Sequence, residues 1–235
     1  MIPVTAILLA AGRGRRLGAS ISKPLLKIGV QPILVYCLKT LNKHPYIKDI
    51  VVVANPENRL AINREIKKYR ITKVKNVVLG GRRRQDSVLN GLKALGRHAA
   101  LVLIHDGARP FIEKDTISAL IKEAQRTGAS IVGVPVKETI KEVRSQKSEV
   151  RSKFAVKRTL ERSRLWEIQT PQVFRKEIIL EAFEKFGRQE ATDDAMLVER
   201  LGVKVSLIPG SYDNIKITTP ADLVLAECLV KKYGN

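Results

Sequence analysis

The stretch Ala10-Ala-Gly-Arg-Gly-Arg-Arg16, with Gly18 and Lys23 close behind, brings glycines and cations together directly after an apolar run. Gly12, Gly14 and Gly18 lack a Cβ, so a loop of this kind can turn its backbone N–H groups towards a polyphosphate. Arg13, Arg15, Arg16 and Lys23 add fixed positive charge where phosphate charge would sit. Asp106 follows a second apolar run and precedes Gly107-Ala-Arg-Pro110. An acid there can hold Mg²⁺ against phosphates, or cap the following turn. Asp213-Asn-Ile-Lys216 supplies another acid and another lysine; Asp213 reads either as a second metal contact or as a turn residue. Gly80-Gly81 precedes Arg82-Arg-Arg-Gln-Asp-Ser87, where Ser87 falls in the first turn of a helix and either reaches a base or ribose or caps the helix. Thr139, Thr170 and Thr192 lie in or near turns and by themselves read as structural. His105 has no Ser or Cys at a recognisable spacing and reads as a packed residue at a strand end. Trp166, the only tryptophan, reads as buried packing.

The elements that must position these groups alternate. Val4 to Ala10, Asp49 to Ala54, Val74 to Leu79, Ala99 to His105 and Ala129 to Val134 read as strands. Between them Pro32 to Leu41, Glu57 to Tyr69, Gln85 to Leu95 and Lys114 to Thr127 read as helices. Near-continuous apolar strands such as Ile50 to Ala54 suit a sheet covered on both faces. The βαβα order therefore predicts a doubly wound, mostly parallel α/β sheet. Ligands in such sheets bind at the carboxyl ends of strands, which is where the glycine–arginine loop, Gly80-Gly81 and His105-Asp-Gly107 fall. Between Val136 and Lys157 the rhythm changes to two polar–apolar strands, Val136 to Val143 and Val150 to Val156, around Ser145-Gln-Lys-Ser148. This reads as a β-hairpin arm too poor in apolar residues to stand alone, with a partner subunit as its natural support. Helices follow over Lys176 to Phe186, Asp193 to Leu201 and Pro220 to Lys231, with a strand over Val203 to Ile208. The chain reads as one domain, 1–235, from which the arm at 136–157 protrudes.

Composition narrows the partners. Hydrophobic residues make up 44% and charged residues 28%, as in ordinary soluble proteins. The longest apolar run, Ile2 to Ala11, is too short to span a membrane and lacks the flanks of a signal peptide. Two cysteines, Cys37 and Cys228, give neither a disulfide framework nor a zinc site, so a reducing cytoplasm is the default. With 43 basic and 23 acidic residues the formal charge is +20, which favours anionic partners. Residues 59–84 hold ten Lys or Arg and one Glu. Tyr69 is the single aromatic among those bases, too little for a single-strand stacking platform.

Taken in order, Ala10 to Arg16, Lys23, Gly80-Gly81, Asp86-Ser-Val-Leu-Asn-Gly-Leu92, His105 to Pro110, Thr159-Leu-Glu-Arg162, Gln169-Thr-Pro-Gln172, Thr192-Asp-Asp194 and Asp213 to Thr218 resemble the 2-C-methyl-D-erythritol 4-phosphate cytidylyltransferases. The resemblance covers almost the whole chain. It implies a Rossmann-like nucleotidyltransferase fold and a homodimer joined through the hairpin arm, with Mg²⁺ or another divalent cation and two substrates, CTP and a polyol phosphate. Arg16, Lys23, Arg162 and Lys216 are then the catalytic residues. The first two would stabilise charge building on the α-phosphate; the last two would hold the incoming phosphate for in-line attack. Ala10, Ala11, Gly12, Gly14, Arg16, Lys23, Gly80, Gly81, Ser87, Asp106 and Gly107 would surround CTP. Arg109, Thr139, Arg162, Thr170, Thr192 and Lys216 would contact the second substrate, and Asp106 and Asp213 the metal. The position after Gly81 is acidic in many relatives and is Arg82 here. A ribitol 5-phosphate cytidylyltransferase shares scaffold and CTP site and is the alternative enzyme. A basic nucleic-acid-binding protein without catalysis is the alternative of another class, with nucleic acid not expected as a main partner.

Overall fold

The computed structural model describes residues 2–12, 22–146 and 153–233. Arg13, Gly14, Arg15, Arg16 and Gly18 lie outside the described residues.

β1 (Val4–Leu9) is almost entirely buried, as an apolar strand covered on both faces must be. A short turn at Lys23–Leu25 and a ribbon of β2 (Lys27–Ile28) and β3 (Gln31–Pro32) lead into α1 (Ile33–Lys43). The chain then alternates as expected: β4 (Ile47–Ala54), α2 (Arg59–Lys68), β5 (Val74–Leu79), α3 (Arg84–Lys93), β6 (Leu101–Asp106), α4 (Lys114–Thr127) and β7 (Ala129–Pro135). Gly128, with φ of 96°, ends α4 in the left-handed conformation that glycine adopts without a Cβ clash.

The hairpin arm is present with shifted strands. β8 (Lys141–Gln146) pairs antiparallel with β9 (Lys153–Thr159), so residues 136–140 approach the arm outside any strand and the return ends three residues beyond the Val156 that the sequence pattern suggested; residues 150–152 of that reading lie outside the described residues. Loose polar–apolar alternation does not fix register where neither face is buried.

The larger departure is β10 (Trp166–Arg175), which the sequence reading passed over. Pro171 in its middle argues against a central strand. The strand accommodates it through a register shift between Gln169 and Gln172, at the cis Thr170–Pro171 bond. Trp166, expected to be buried, is half-buried at its start. α5 (Lys176–Phe186), α6 (Asp194–Arg200), β11 (Ser206–Pro209) and α7 (Pro220–Tyr233) complete the order. The seven-stranded sheet runs β11-β7-β10-β6-β1-β4-β5. β10 is antiparallel to both neighbours, and the remaining pairs are parallel.

Helices cover both faces. Leu8, Leu38, Leu103 and Leu120 belong to one apolar layer, Ile7, Val88, Ile104 and Phe174 to the other. α7 closes a third cluster with Ile28, Ile33 and Phe111. Among the described residues no helix is long and apolar enough to cross a membrane.

Candidate functional site

Neighbouring strands β6, β1, β4 and β5 all end on the same side of the sheet, because their pairing is parallel. Their carboxyl ends deliver Asp106, Ala10–Gly12, Asn55 and Gly80–Gly81 to one cavity of about 890 Å³. Lys23, Arg82, Arg83, Arg84, Ser87 and Lys216 complete much of its wall. A smaller cavity of about 240 Å³ adjoins it, lined by Arg109, Thr170, Thr192 and Asp193 among others. Arg84, Asp106 and Lys216 line both cavities, so these three side chains form a shared wall.

Each feature of the large cavity has a local cause. Gly80 and Gly81 make the β5–α3 turn tight: a Cβ on Gly80 would sit 2.6 Å from Ala11 Cβ, and one on Gly81 would sit 2.2 Å from Asp86 Cβ. Ser87 Oγ accepts the Gly81 N–H at 3.1 Å and donates to Arg83 O at 3.2 Å. Its hydroxyl therefore fastens this turn while lining the cavity, which joins the two readings of Ser87. Lys23 is set at the rim by its short turn, and its Nζ donates to Ile217 O at 3.0 Å. Gly107 lines neither cavity. Its N–H goes to Leu9 O at 2.9 Å, and a Cβ there would lie 2.9 Å from both that oxygen and a Leu34 methyl, so it is a packing glycine.

The shared wall is electrostatically dense. Lys216 Nζ lies 2.7 Å from Asp106 Oδ2, and Arg84 Nε lies 3.4 Å from Oδ1. Burial alone would raise the Asp106 carboxyl. The charges of Arg84 and Lys216 outweigh it and hold the group well below the usual carboxylate range. Arg84 also pairs at 2.9 Å with Asp194, whose side chain is wholly buried at the start of α6. Burial pushes the Asp194 carboxyl up, against the pull of Arg84. Neither Arg84 nor Asp194 was given a site role in the sequence, although Asp194 closes the Thr192-Asp-Asp194 motif; the run Arg82-Arg-Arg84 hid which arginine turns inwards.

β10 organises the small cavity. Thr170 Oγ1 accepts the Asp106 N–H at 3.0 Å and meets His105 Nδ1 at 3.1 Å. Burial lowers the His105 imidazole to about 4, so it is neutral at physiological pH, as a packed strand-end residue should be. Gln172 Nε2 donates to Asp193 Oδ2 at 2.7 Å, and its Oε1 accepts the Ala195 N–H at 3.1 Å, fixing the start of α6 beside Thr192. Arg109 Nη1 donates to Asn214 O at 2.8 Å, while its buried Nε meets no hydrogen-bond partner among the described residues.

Of the residues singled out in the sequence, Ala10, Ala11, Gly12, Lys23, Gly80, Gly81, Ser87, Asp106, Arg109, Thr170, Thr192 and Lys216 line one or both cavities. Thr139 and Arg162 do not. Both are exposed at the root of the arm, where Arg162 Nη1 donates to Lys137 O at 2.7 Å. Asp213 lines neither cavity and pairs with Lys232 Nζ at 2.5 Å, so the metal contact read for it has no counterpart at the shared wall. Arg16 and Gly14 fall outside the described residues.

The arrangement suits the joining of two anions across one wall, and comparison with known proteins agrees. The family model described as 2-C-methyl-D-erythritol 4-phosphate cytidylyltransferase matches residues 4–232. A protein of that name from Syntrophus aciditrophicus is 44% identical, over 97% of this chain and 96% of its own. One from Alkaliphilus metalliredigens is 45% identical, over 97% and 93%. The crystal structure of 4-diphosphocytidyl-2C-methyl-D-erythritol synthase from Anaerococcus prevotii superposes with a TM-score of 0.83 at 31% identity, covering 97% of this chain and 96% of that one.

Proposed function

This chain belongs to the 2-C-methyl-D-erythritol 4-phosphate cytidylyltransferase family, and on that premise we propose that it transfers a cytidylyl group from CTP to 2-C-methyl-D-erythritol 4-phosphate. A phosphate oxygen of the polyol phosphate attacks the α-phosphorus of CTP. The bond from that phosphorus to the bridging oxygen breaks, and pyrophosphate leaves. The products are 4-diphosphocytidyl-2-C-methyl-D-erythritol and pyrophosphate, and the pathway is isoprenoid biosynthesis.

The observation that carries this reading is the pair of cavities sharing Arg84, Asp106 and Lys216. CTP takes the larger, against the Ala10–Gly12 backbone, Gly80, Gly81 and Ser87. The polyol phosphate takes the smaller, against Arg109, Thr170 and Thr192. Lys216, at the wall between them, reaches the attacking phosphate, while Lys23 stabilises the charge that gathers as the α-phosphorus becomes five-coordinate. Arg16 shares that task in the proposal. No covalent intermediate on the protein is needed, because alignment and charge neutralisation supply the catalysis.

Asp106 fits a divalent cation of the Mg²⁺ type, which takes one or two carboxylates together with substrate phosphates and water. It is an acid that lines both cavities, with its oxygens paired to Arg84 and Lys216, side chains an incoming triphosphate would also engage, and the described residues hold no cluster of three or more potential ligands. When bound, such an ion offsets triphosphate charge. The arm completes the proposal. Val143, Phe154 and Val156 leave an apolar strip exposed on it, and Arg162 and Thr139 at its root lie outside both cavities of their own chain. We propose a homodimer in which the arm packs on the partner and brings these two residues to the partner's polyol phosphate.

Pyrophosphate release from CTP with Mg²⁺, measured against 2-C-methyl-D-erythritol 4-phosphate and against ribitol 5-phosphate, tests the reading. The methylerythritol substrate should give the higher kcat/KM. A higher value for ribitol 5-phosphate, or no release with either, overturns it.

A further inference from the structure

Asn55-Pro-Glu-Asn58 leads from β4 into α2, on the far side of β1 from the shared wall. Asn58 stands at the N-cap of α2, where an asparagine ordinarily accepts an N–H from the helix's first turn. Here its side chain makes no such bond. Its Oδ1 accepts the Asn55 N–H at 2.9 Å, and Asn55 Oδ1 accepts the Asn58 N–H at 2.8 Å. Its Nδ2 donates to Ala10 O at 2.9 Å and to Ser22 Oγ at 2.9 Å. Asn55 Nδ2 adds a bond to Ala11 O at 3.2 Å. Asn58 is almost wholly buried, at 1% exposure.

Ala10 and Ser22 are far apart along the chain but flank the glycine–arginine stretch on either side. Ala10 and Ala11 line the larger cavity, and Ser22 immediately precedes Lys23. One carboxamide therefore fastens the backbone at Ala10 and the side chain of Ser22 at once. We infer that Asn58 is a positioning residue for the transfer reaction: its clasp on Ala10 and Ser22 sets the distance between the cavity's backbone floor and the Lys23 amine. The inference rests on the assignment of CTP to the larger cavity.

The chemistry of the position is narrow. Asn58 uses one acceptor and both donors of a short amide. Aspartate has the same shape but no N–H, glutamine is one methylene longer, and serine brings a single donor. Aspartate would still accept from Asn55 N–H and from the Ser22 hydroxyl. Against Ala10 O it would set an acceptor against an acceptor.

The experiment combines steady-state kinetics with calorimetric binding of CTP alone, on wild type, Asn58→Asp and Ser22→Ala. In Asn58→Asp the CTP dissociation constant should rise about tenfold and kcat should fall roughly ten- to a hundred-fold, the scale of an ångström-sized misplacement. KM for the polyol phosphate should stay within about twofold. Ser22→Ala removes one bond of the clasp and should cost about threefold in kcat/KM for CTP. A purely structural role lowers the folded fraction without separating the two substrates. A folded Asn58→Asp protein with wild-type CTP affinity and kcat, or one losing both substrates equally, overturns the inference. If Asn58→Asp does not fold, Ser22→Ala decides: the threefold loss supports the clasp and unchanged CTP kinetics overturn it. Failure of the wild type itself to bind CTP would instead overturn the functional assignment on which the clasp rests.

Discussion

The shared wall and the hairpin arm carry similar residue types and behave in opposite ways. At the wall, Arg84, Asp106, Lys216 and Asp194 stand on the ends and flanks of a buried sheet, and each charge has an opposite charge within 3.4 Å. In the arm, Lys157 and Arg158 also pair with Glu142, yet among the described residues β8 and β9 form a two-stranded sheet of their own and the apolar strip of Val143, Phe154 and Val156 faces outwards. The wall is preorganised by its own chain. In the proposed homodimer the arm takes its support from the partner. Ion pairs alone do not create a site; burial makes them rigid, and exposed pairs contribute little.

The contrast breaks most visibly at Arg84. Replacing it by methionine leaves Asp194 buried without a counter-charge, a situation that costs about 3–5 kcal/mol. Thermal unfolding of Arg84→Met should fall accordingly, and Arg84→Met/Asp194→Leu should recover much of the loss. A single variant as stable as wild type would show that the wall is not held by this pair.

Next in size is Lys23→Ala. It removes a charge whose value grows as the α-phosphorus becomes five-coordinate, so kcat should fall by roughly 10²–10³ while KM for the polyol phosphate stays near wild type. A near-normal kcat would make Lys23 a rim cation only. The arm should respond differently. Phe154→Ser should weaken dimerisation in sedimentation experiments and lower activity with it, and should lower the unfolding temperature only at protein concentrations where the wild type is dimeric. A Phe154→Ser dimer as tight as wild type would contradict an interface on that strip.

A smaller effect is expected away from both regions. His44 is buried with its ring against Lys114 O and Ser118 Oγ, and burial lowers its imidazole, with Lys73 adding to the shift. Its neutral form is favoured on folding. The stability it contributes is therefore full above the unfolded value of about 6.5 and lost as pH falls below it. A His44→Asn protein should lose less stability than wild type between neutral and mildly acidic pH in denaturant titrations.

Much of this was legible from residues. The alternation of apolar strands and amphipathic helices gave the parallel sheet, and parallel strands put Asp106, Gly80-Gly81 and the Ala10–Gly12 run at one end of it. β10 was illegible because Pro171 and three buried polar residues, Gln169, Thr170 and Gln172, mimic a loop. Those polar groups are satisfied by Ser211, Asp106, Asp193 and Ala195, partners that only the folded chain brings near. Arg84 was hidden in a run of three arginines, and Asp194 in an ordinary helix start. Asn58 was not singled out in the sequence, lying inside the helix read over Glu57 to Tyr69. Nothing in the sequence announced that Asp213 would pair with Lys232, nineteen residues later.

The central claim is that the two cavities hold different substrates on either side of one wall. Arg109 lines only the smaller cavity, so steady-state kinetics of Arg109→Gln with both substrates varied address that claim most directly. KM for the polyol phosphate should rise about tenfold or more while KM for CTP stays within about twofold. Equal rises in the two constants, or a rise confined to CTP, would contradict the division of the site.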